Sequence, residues 1–233
     1  MLLVLVAVAV SFTVSASAGF GGSLVLVPAL GLVLGVKPGI ALAALLLAAN
    51  NIVKVVLYRR TIPYRKAAPV VVLMTVGAFA GAVLLVAAPE RLVVAAVLVT
   101  FALAYVNERV ERRSVPRLDP RVLAFGAGAT SGFSGTSGPL KGLAVRRLGL
   151  DRQHLVGALS LASLVGDLTK TAVWTEAQLI GADGYRLALA AVPLMLGASL
   201  LGRHLNRQLG ERGYAGLFWT VMAGYSARLL VGL

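Results

Sequence analysis

Residues 1–36 read MLLVLVAVAVSFTVSASAGFGGSLVLVPALGLVLGV, and the first charge of the chain is Lys37. As one helix rising about 1.5 Å per residue, this run would be about 54 Å long. A bilayer core is about 30 Å thick, so the run is too long for one span and too short for two spans and a turn. It is interrupted by Gly19-Phe20-Gly21-Gly22-Ser23 and later by Pro28. The reading that fits is a hairpin of two partial helices meeting inside the membrane. Non-helical backbone is tolerated at that depth only when buried in protein or lining a polar cavity. A cleaved signal peptide over residues 1–18 is the other reading. Ser15-Ala16-Ser17-Ala18 suits a cleavage site, but no basic segment precedes the apolar run, which continues past the cut.

Composition agrees with a membrane protein. Of 233 residues 58% are hydrophobic and 13% charged, with mean hydropathy +0.88. A soluble domain carries about 25% charged residues. A soluble enzyme core, a disordered tail and a disulfide scaffold are thereby excluded. Net charge +13 and pI about 11.1 resemble a nucleic-acid binder. Here, however, the basic residues sit in short loops between apolar runs, the pattern that orients membrane proteins, so no nucleic-acid partner is expected. The absence of cysteine removes disulfides, thiolate zinc sites and thiol nucleophiles. His154 and His204 are the only histidines, so neither a metal nor another cofactor is expected.

Uncharged runs place spans at about 38–58, 67–87, 91–106, 153–173, 185–201 and 214–232. The run 91–106 is short and open to extension through Asn107–Val110. All are expected to be helical, since a helix satisfies its own backbone in lipid. The segment 121–145 carries Gly126, Gly128, Gly132, Gly135, Gly138 and Pro139, and loop charge decides its course. If it is a hairpin, loops 59–66, 107–121, 141–152 and 203–212 share one side and hold 16 of the 22 Lys and Arg. A single crossing would divide the charges almost evenly. The positive-inside rule favours the hairpin, a cytoplasmic basic face and both termini outside.

The two halves are similar. Ala18-Gly19-Phe20-Gly21-Gly22-Ser23 corresponds to Ser131-Gly132-Phe133-Ser134-Gly135-Thr136, and Asn50-Asn51-Ile52-Val53-Lys54 to Gly166-Asp167-Leu168-Thr169-Lys170. Gly77 and Gly81 correspond to Gly197 and Gly202. The expected fold is an all-α polytopic membrane protein with two inverted repeats, each a broken-helix hairpin plus three transmembrane helices. The first repeat is placed at 1–106, a cytoplasmic connector at 107–120 and the second repeat at 121–233. Inverted repeats with helices broken near the midplane are an architecture of secondary transporters.

These motifs, in this order over nearly the whole chain, resemble the TauE/SafE family of sulfite exporter-like permeases, also grouped as toluene-sulfonate uptake permeases. The resemblance rests on the early Gly-Phe-Gly-Gly motif with Pro28, on Asn50, Asn51 and Lys54, and on Ser131-Gly132-Phe133-Ser134-Gly135. This chain departs from it at Ser23, where a third consecutive glycine is typical. Membership would imply transport of sulfite or small organosulfonate anions across the bacterial cytoplasmic membrane.

Such an anion needs hydrogen-bond donors and modest positive charge, which helix N-termini and hydroxyls supply. The candidate binding residues are Gly21, Gly22 and Ser23 at one tip and Ser134, Gly135, Thr136, Ser137 and Gly138 at the other. Asn50, Asn51, Lys54 and Lys170 complete the set. The competing reading of the small residues is close helix packing. For both lysines it is snorkelling to headgroups. Asp167 lies three residues before Lys170 on one helical face. It is read either as a neutralising partner or as a group coupling anion movement to protons. His154 and His204 read as solvated loop residues, and Trp174 and Trp219 as interfacial or packing aromatics.

The expected function is a secondary transporter working by alternating access, with the anion held at the hairpin tips and the bilayer as the other partner. A channel-like anion pathway is the alternative within transport. An intramembrane enzyme would need a base beside Ser160 or Ser163, and the sequence shows no intramembrane histidine or second acid there. An assembly subunit leaves the duplicated broken helices without a purpose.

Overall fold

A computed structural model describes residues 2–18, 22–110, 119–137, 140–198, 201 and 223. The described residues are helical, with α1 at Leu2–Ala18, α2 at Ser23–Leu34 and α3 at Val36–Tyr58. A short 3-10 turn, Arg59–Thr61, leads to α4 at Tyr64–Ala87 and α5 at Glu90–Val110. Then come α6 at Pro120–Ser134, α7 at Leu140–Arg146, α8 at Arg152–Glu176 and a helix over 182–198, here α9. The expected extension of the short span through Val110 is present in α5. The expected span 214–232 and the loop with His204 lie outside the described residues, as do Trp219 and Gly202.

Val36–Thr61, Tyr64–Ala87 and Gln153–Glu176 are long and apolar enough to cross a bilayer. Their packing is that of a membrane protein. On α4 the inward face holds Ala67, Met74, Gly77, Ala78, Gly81 and Ala82, while Val72, Val76, Phe79 and Val83 are exposed. Small residues inside let backbones approach closely, and large apolar residues outside suit lipid.

The closest approach is between α4 and α6, which run parallel. A Cβ added at Gly77 or Gly81 would overlap the carbonyl oxygen of Phe125 or Ala129. At Gly128 or Gly132 it would overlap that of Met74 or Ala78. Two small-xxx-small stripes therefore interlock. Gly77 and Gly81 thus pack on α6, and a Cβ at Gly197, the position corresponding to Gly77 in the second half, meets nothing within 4 Å among the described residues. Gly132 is likewise a packing residue.

Two apolar clusters result. One gathers α1, α2 and α3 with parts of α5, Trp174 and α9. The other joins α4, α6, α7 and α8.

The segment 121–145 is the expected hairpin. It starts at α6, whose first turn is capped by the Asp119 carboxylate accepting from the Arg121 N–H at 2.7 Å. Asp119 is at the N-cap and Pro120 follows at N1, where neither costs a helical hydrogen bond. The helix ends at Gly135, φ +77°, the left-handed conformation that glycine adopts readily. At that point α6 is level with Ala82, about 8 Å short of the end of α4. The seven residues of α7 span only about 10 Å. The chain then reaches Gly149-Leu150-Asp151, which borders the same surface cleft as Pro63-Tyr64-Arg65-Lys66. It has returned to the face from which it departed. Gly157 of α8 meets the backbone of Thr61, so α3 ends and α4 and α8 begin on this basic face. At the opposite face Lys37 donates to the Val86 carbonyl in the last turn of α4 at 3.1 Å, a cation at a helix C-terminus.

Candidate functional site

The second hairpin carries its polar residues to a point between α2, α3, α5 and α8. Ser134 closes α6, and its hydroxyl donates to the Thr130 carbonyl at 2.9 Å. It also meets Thr100 of α5 at 3.2 Å and the Thr136 carbonyl at 3.1 Å. Ser23, the first residue of α2, donates to Thr136 Oγ1 at 3.0 Å. The two hairpins thus touch at Ser23 and Thr136. Ser134, Thr136 and Ser137 are buried. Gly135 packs under Val27 and Ile40, so a Cβ there would lie 2.9 Å from each side chain. Gly22 immediately precedes α2 and gives it no side-chain cap. Gly21 and Gly138 lie outside the described residues.

One turn back along α6, Ser131 opens a second layer built from charges. Asp167 of α8 pairs with Lys170 at 2.7 Å, and its other oxygen accepts from Asn51 Nδ2 at 2.8 Å. Lys170 also donates to Ser131 Oγ at 2.9 Å and sits 5.9 Å from the centroid of the Trp174 ring. Trp174 is fully buried and donates to the Ala82 carbonyl at 3.2 Å, so it is a packing aromatic rather than an interfacial one. Lys170 is only 1% exposed. Snorkelling is therefore not its role; Asp167, Ser131 and the indole hold it inside the protein. The i,i+3 pairing expected of Asp167 and Lys170 is present.

Depth follows from the helix registers. Asn51 and Asp167 each lie ten residues beyond the place where Thr61 meets Gly157. Ten residues are about 15 Å of helix. That is about half of a 30 Å hydrocarbon core.

Lys141, assigned by sequence to a basic loop, belongs here instead. It lies on α7 and donates to Ser163 Oγ of α8 at 2.8 Å. A narrow cavity with room for about one water reaches from Lys141 and Ser163 past Gly128 and Ser131 to Asp167. Lys54, in contrast, is exposed on α3, one turn beyond Asn51. Both Lys54 and Lys141 remain within electrostatic reach of Asp167. One carboxylate thus faces three ammonium groups from α3, α7 and α8. Asn50 is half-buried beside Asn51. The only signal for Lys141 was its position, separated from Arg146-Arg147 by the apolar run Gly142–Val145.

The model for Sulfite exporter TauE/SafE matches residues 3–229, nearly the whole chain. The chain belongs to the TauE/SafE sulfite exporter family. This is a family of membrane transporters, so the chain is a membrane protein of the sulfite and sulfonate transporter type. No curated protein and no solved structure matches it.

In a TauE/SafE protein the charge balance of the site has a direct meaning. Ionisable groups inside a membrane are costly and usually pair. Three lysines around one aspartate leave an excess of positive charge, which an anion would neutralise. Lys141 and Ser163 also resemble a serine–lysine pair for acyl transfer, the base that the sequence did not reveal. Such chemistry needs a neutral lysine, whereas Lys141 lies within reach of the Asp167 carboxylate, which lines the same cavity.

Proposed function

We propose that this protein is a secondary transporter that moves sulfite or a small organosulfonate across the bacterial cytoplasmic membrane by alternating access. The observation that carries the reading is the positive excess around Asp167, about 15 Å from the basic face and directly beneath the meeting hairpin tips. An anionic head with several acceptor oxygens would balance that excess and accept from the surrounding hydroxyls and amides.

The two halves, 1–106 and 121–233 joined by 107–120, would be inverted repeats rocking against each other. Ser23–Thr136 and Asn51–Asp167 are bonds that join the halves, so they are the ones such motion would strain. The basic face would be cytoplasmic and both termini outside. Asp167 is placed to couple anion movement to protons, since its carboxylate is the only acid in the described layer and competes with the anion for Lys170.

A thermal-shift screen of purified protein against sulfite, sulfate, thiosulfate and small sulfonates tests the reading. A native-state ligand at a hundredfold excess over Kd stabilises by about 2.7 kcal/mol. A selective shift with sulfite or a sulfonate is expected; no shift with any sulfur oxyanion contradicts it.

A further inference from the structure

We infer that the anion's seat is the cavity beneath the second hairpin, with Lys141 as its cation and Ser163 and Ser131 as its hydroxyl donors. The inference rests on the anion-transport reading and moves the binding site one helical turn away from the tips.

The hydroxyl accounting points there. A buried hydroxyl in a helix ordinarily satisfies its proton by donating to the carbonyl four residues back. Thr13, Thr75, Thr100, Thr130, Ser160 and Thr169 all do so here. Ser11 and Thr171 find no partner among the described residues. Ser131 and Ser163 do not donate in this way either. Each accepts from a lysine, Ser131 from Lys170 and Ser163 from Lys141, and donates to no described residue. Both line the same cavity. A hydroxyl that accepts from an ammonium keeps its own proton to give, and two such protons converge on one space.

Lys141 completes the set. Its ammonium has three protons. Its one hydrogen bond among the described residues goes to a neutral oxygen, and none of the described carboxylates forms an ion pair with it. Lys170, by contrast, has Asp167 as its counter-charge. Lys141, with no ion-pair partner among the described residues, and two hydroxyls that donate to no described residue therefore face one cavity, whose Asp167 wall is already bonded to Lys170 and Asn51. An oxyanion head supplies what all three lack, acceptor oxygens and negative charge.

The tips fit this role less well. Ser23, Thr136, Thr100 and Ser134 bond to one another and to the backbone, so their hydroxyls already hold the hairpin together. The cavity admits about one water as it stands. A larger anion enters by parting α7 from α8, and the Lys141–Ser163 bond spans that seam.

The test is sulfite and methanesulfonate titration of the full-length protein in detergent, read by calorimetry. K141M is expected to weaken binding at least tenfold and S163A and S131A severalfold, while K141R retains most of the affinity. K66M, which removes an exposed charge of the basic face, is expected to leave Kd unchanged. If K141M does not fold, S163A and S131A carry the test, because losing a hydroxyl leaves the lysines in place. Wild-type affinity in S163A and S131A, and in K141M where it folds, overturns the cavity as the seat while leaving anion transport standing. A wild-type protein that binds neither anion overturns the transport reading and this inference together.

Discussion

Asn51 of α3 donates to Asp167 of α8 at 2.8 Å, joining two residues separated by 116 positions that the halves place in corresponding motifs. The amide is neutral, so it holds the carboxylate without cancelling it. That leaves the negative charge available to Lys170 on the other oxygen. Asn51 is thus a device for orienting Asp167 while preserving the charge that the lysines share.

Replacing Asp167 by Asn keeps the shape of the side chain and removes the charge facing Lys170. Breaking one side of a buried pair costs about 3–5 kcal/mol, mainly because the partner is left buried and unpaired. D167N is expected to unfold well below the wild-type Tm in detergent. D167N/K170M is expected to recover part of the loss, since the buried Lys170 ammonium is no longer left unpaired. Equal melting of the single and double variants would count against the pair as an electrostatic unit.

The same variant tests proton coupling. If Asp167 takes up a proton as the anion moves, D167N in liposomes is expected to lose the response of anion flux to an imposed pH gradient. A response the size of that in the wild type removes Asp167 from the coupling role.

Gly81 and Gly132 have backbone, not flexible side chains, as their nearest neighbours across the α4–α6 seam. Overpacking a core costs about 1–3 kcal/mol, occasionally more. G81A and G132A are expected at or above the top of that range, because two helices must separate to accept one methyl. G197A, whose Cβ meets nothing within 4 Å among the described residues, is the control and is expected to be near neutral in thermal unfolding.

Asp151 caps α8 on the basic face, accepting from the backbone N–H groups of Gln153 and His154 at 3.0 and 3.1 Å. Its carboxyl is held below the usual carboxylate range, first by the His154 N–H and then by the His154 ring, which lies 2.5 Å away. A carboxyl lowered in the folded state stabilises above its unfolded pKa, about 3.9. That contribution is lost as pH falls through the lower folded value. D151A is therefore expected to lower Tm at pH 7, with the difference from wild type shrinking as pH drops below about 4. A difference that grows in acid would reverse the sign of this account.

Much of this fold was legible because lipid imposes simple rules. Uncharged runs marked α3, α4 and α8, and loop charge favoured the 121–145 hairpin. The Asp167–Lys170 pair was legible too, since three residues are one helical turn. What stayed hidden was contact across distance. No local spacing shows that Asn51 reaches Asp167, or that the stripe on α4 interlocks with the one on α6. Lys141 was read as loop because charge at a hairpin's return leg looks the same whether it faces solvent or a neighbouring helix. Ser131 stood inside a recognised motif, but only its bond to Lys170 shows that its hydroxyl accepts from a buried ammonium.

The positive layer around Asp167 is proposed to move a sulfur oxyanion. The most direct measurement is uptake of sulfur-35 sulfite by liposomes carrying the purified protein, with protein-free liposomes as the baseline. Saturable uptake is expected, competed by small sulfonates and lost in K141M. Uptake no faster than the protein-free baseline for sulfite and for every sulfonate tested, with folded protein confirmed in the membrane, would contradict it.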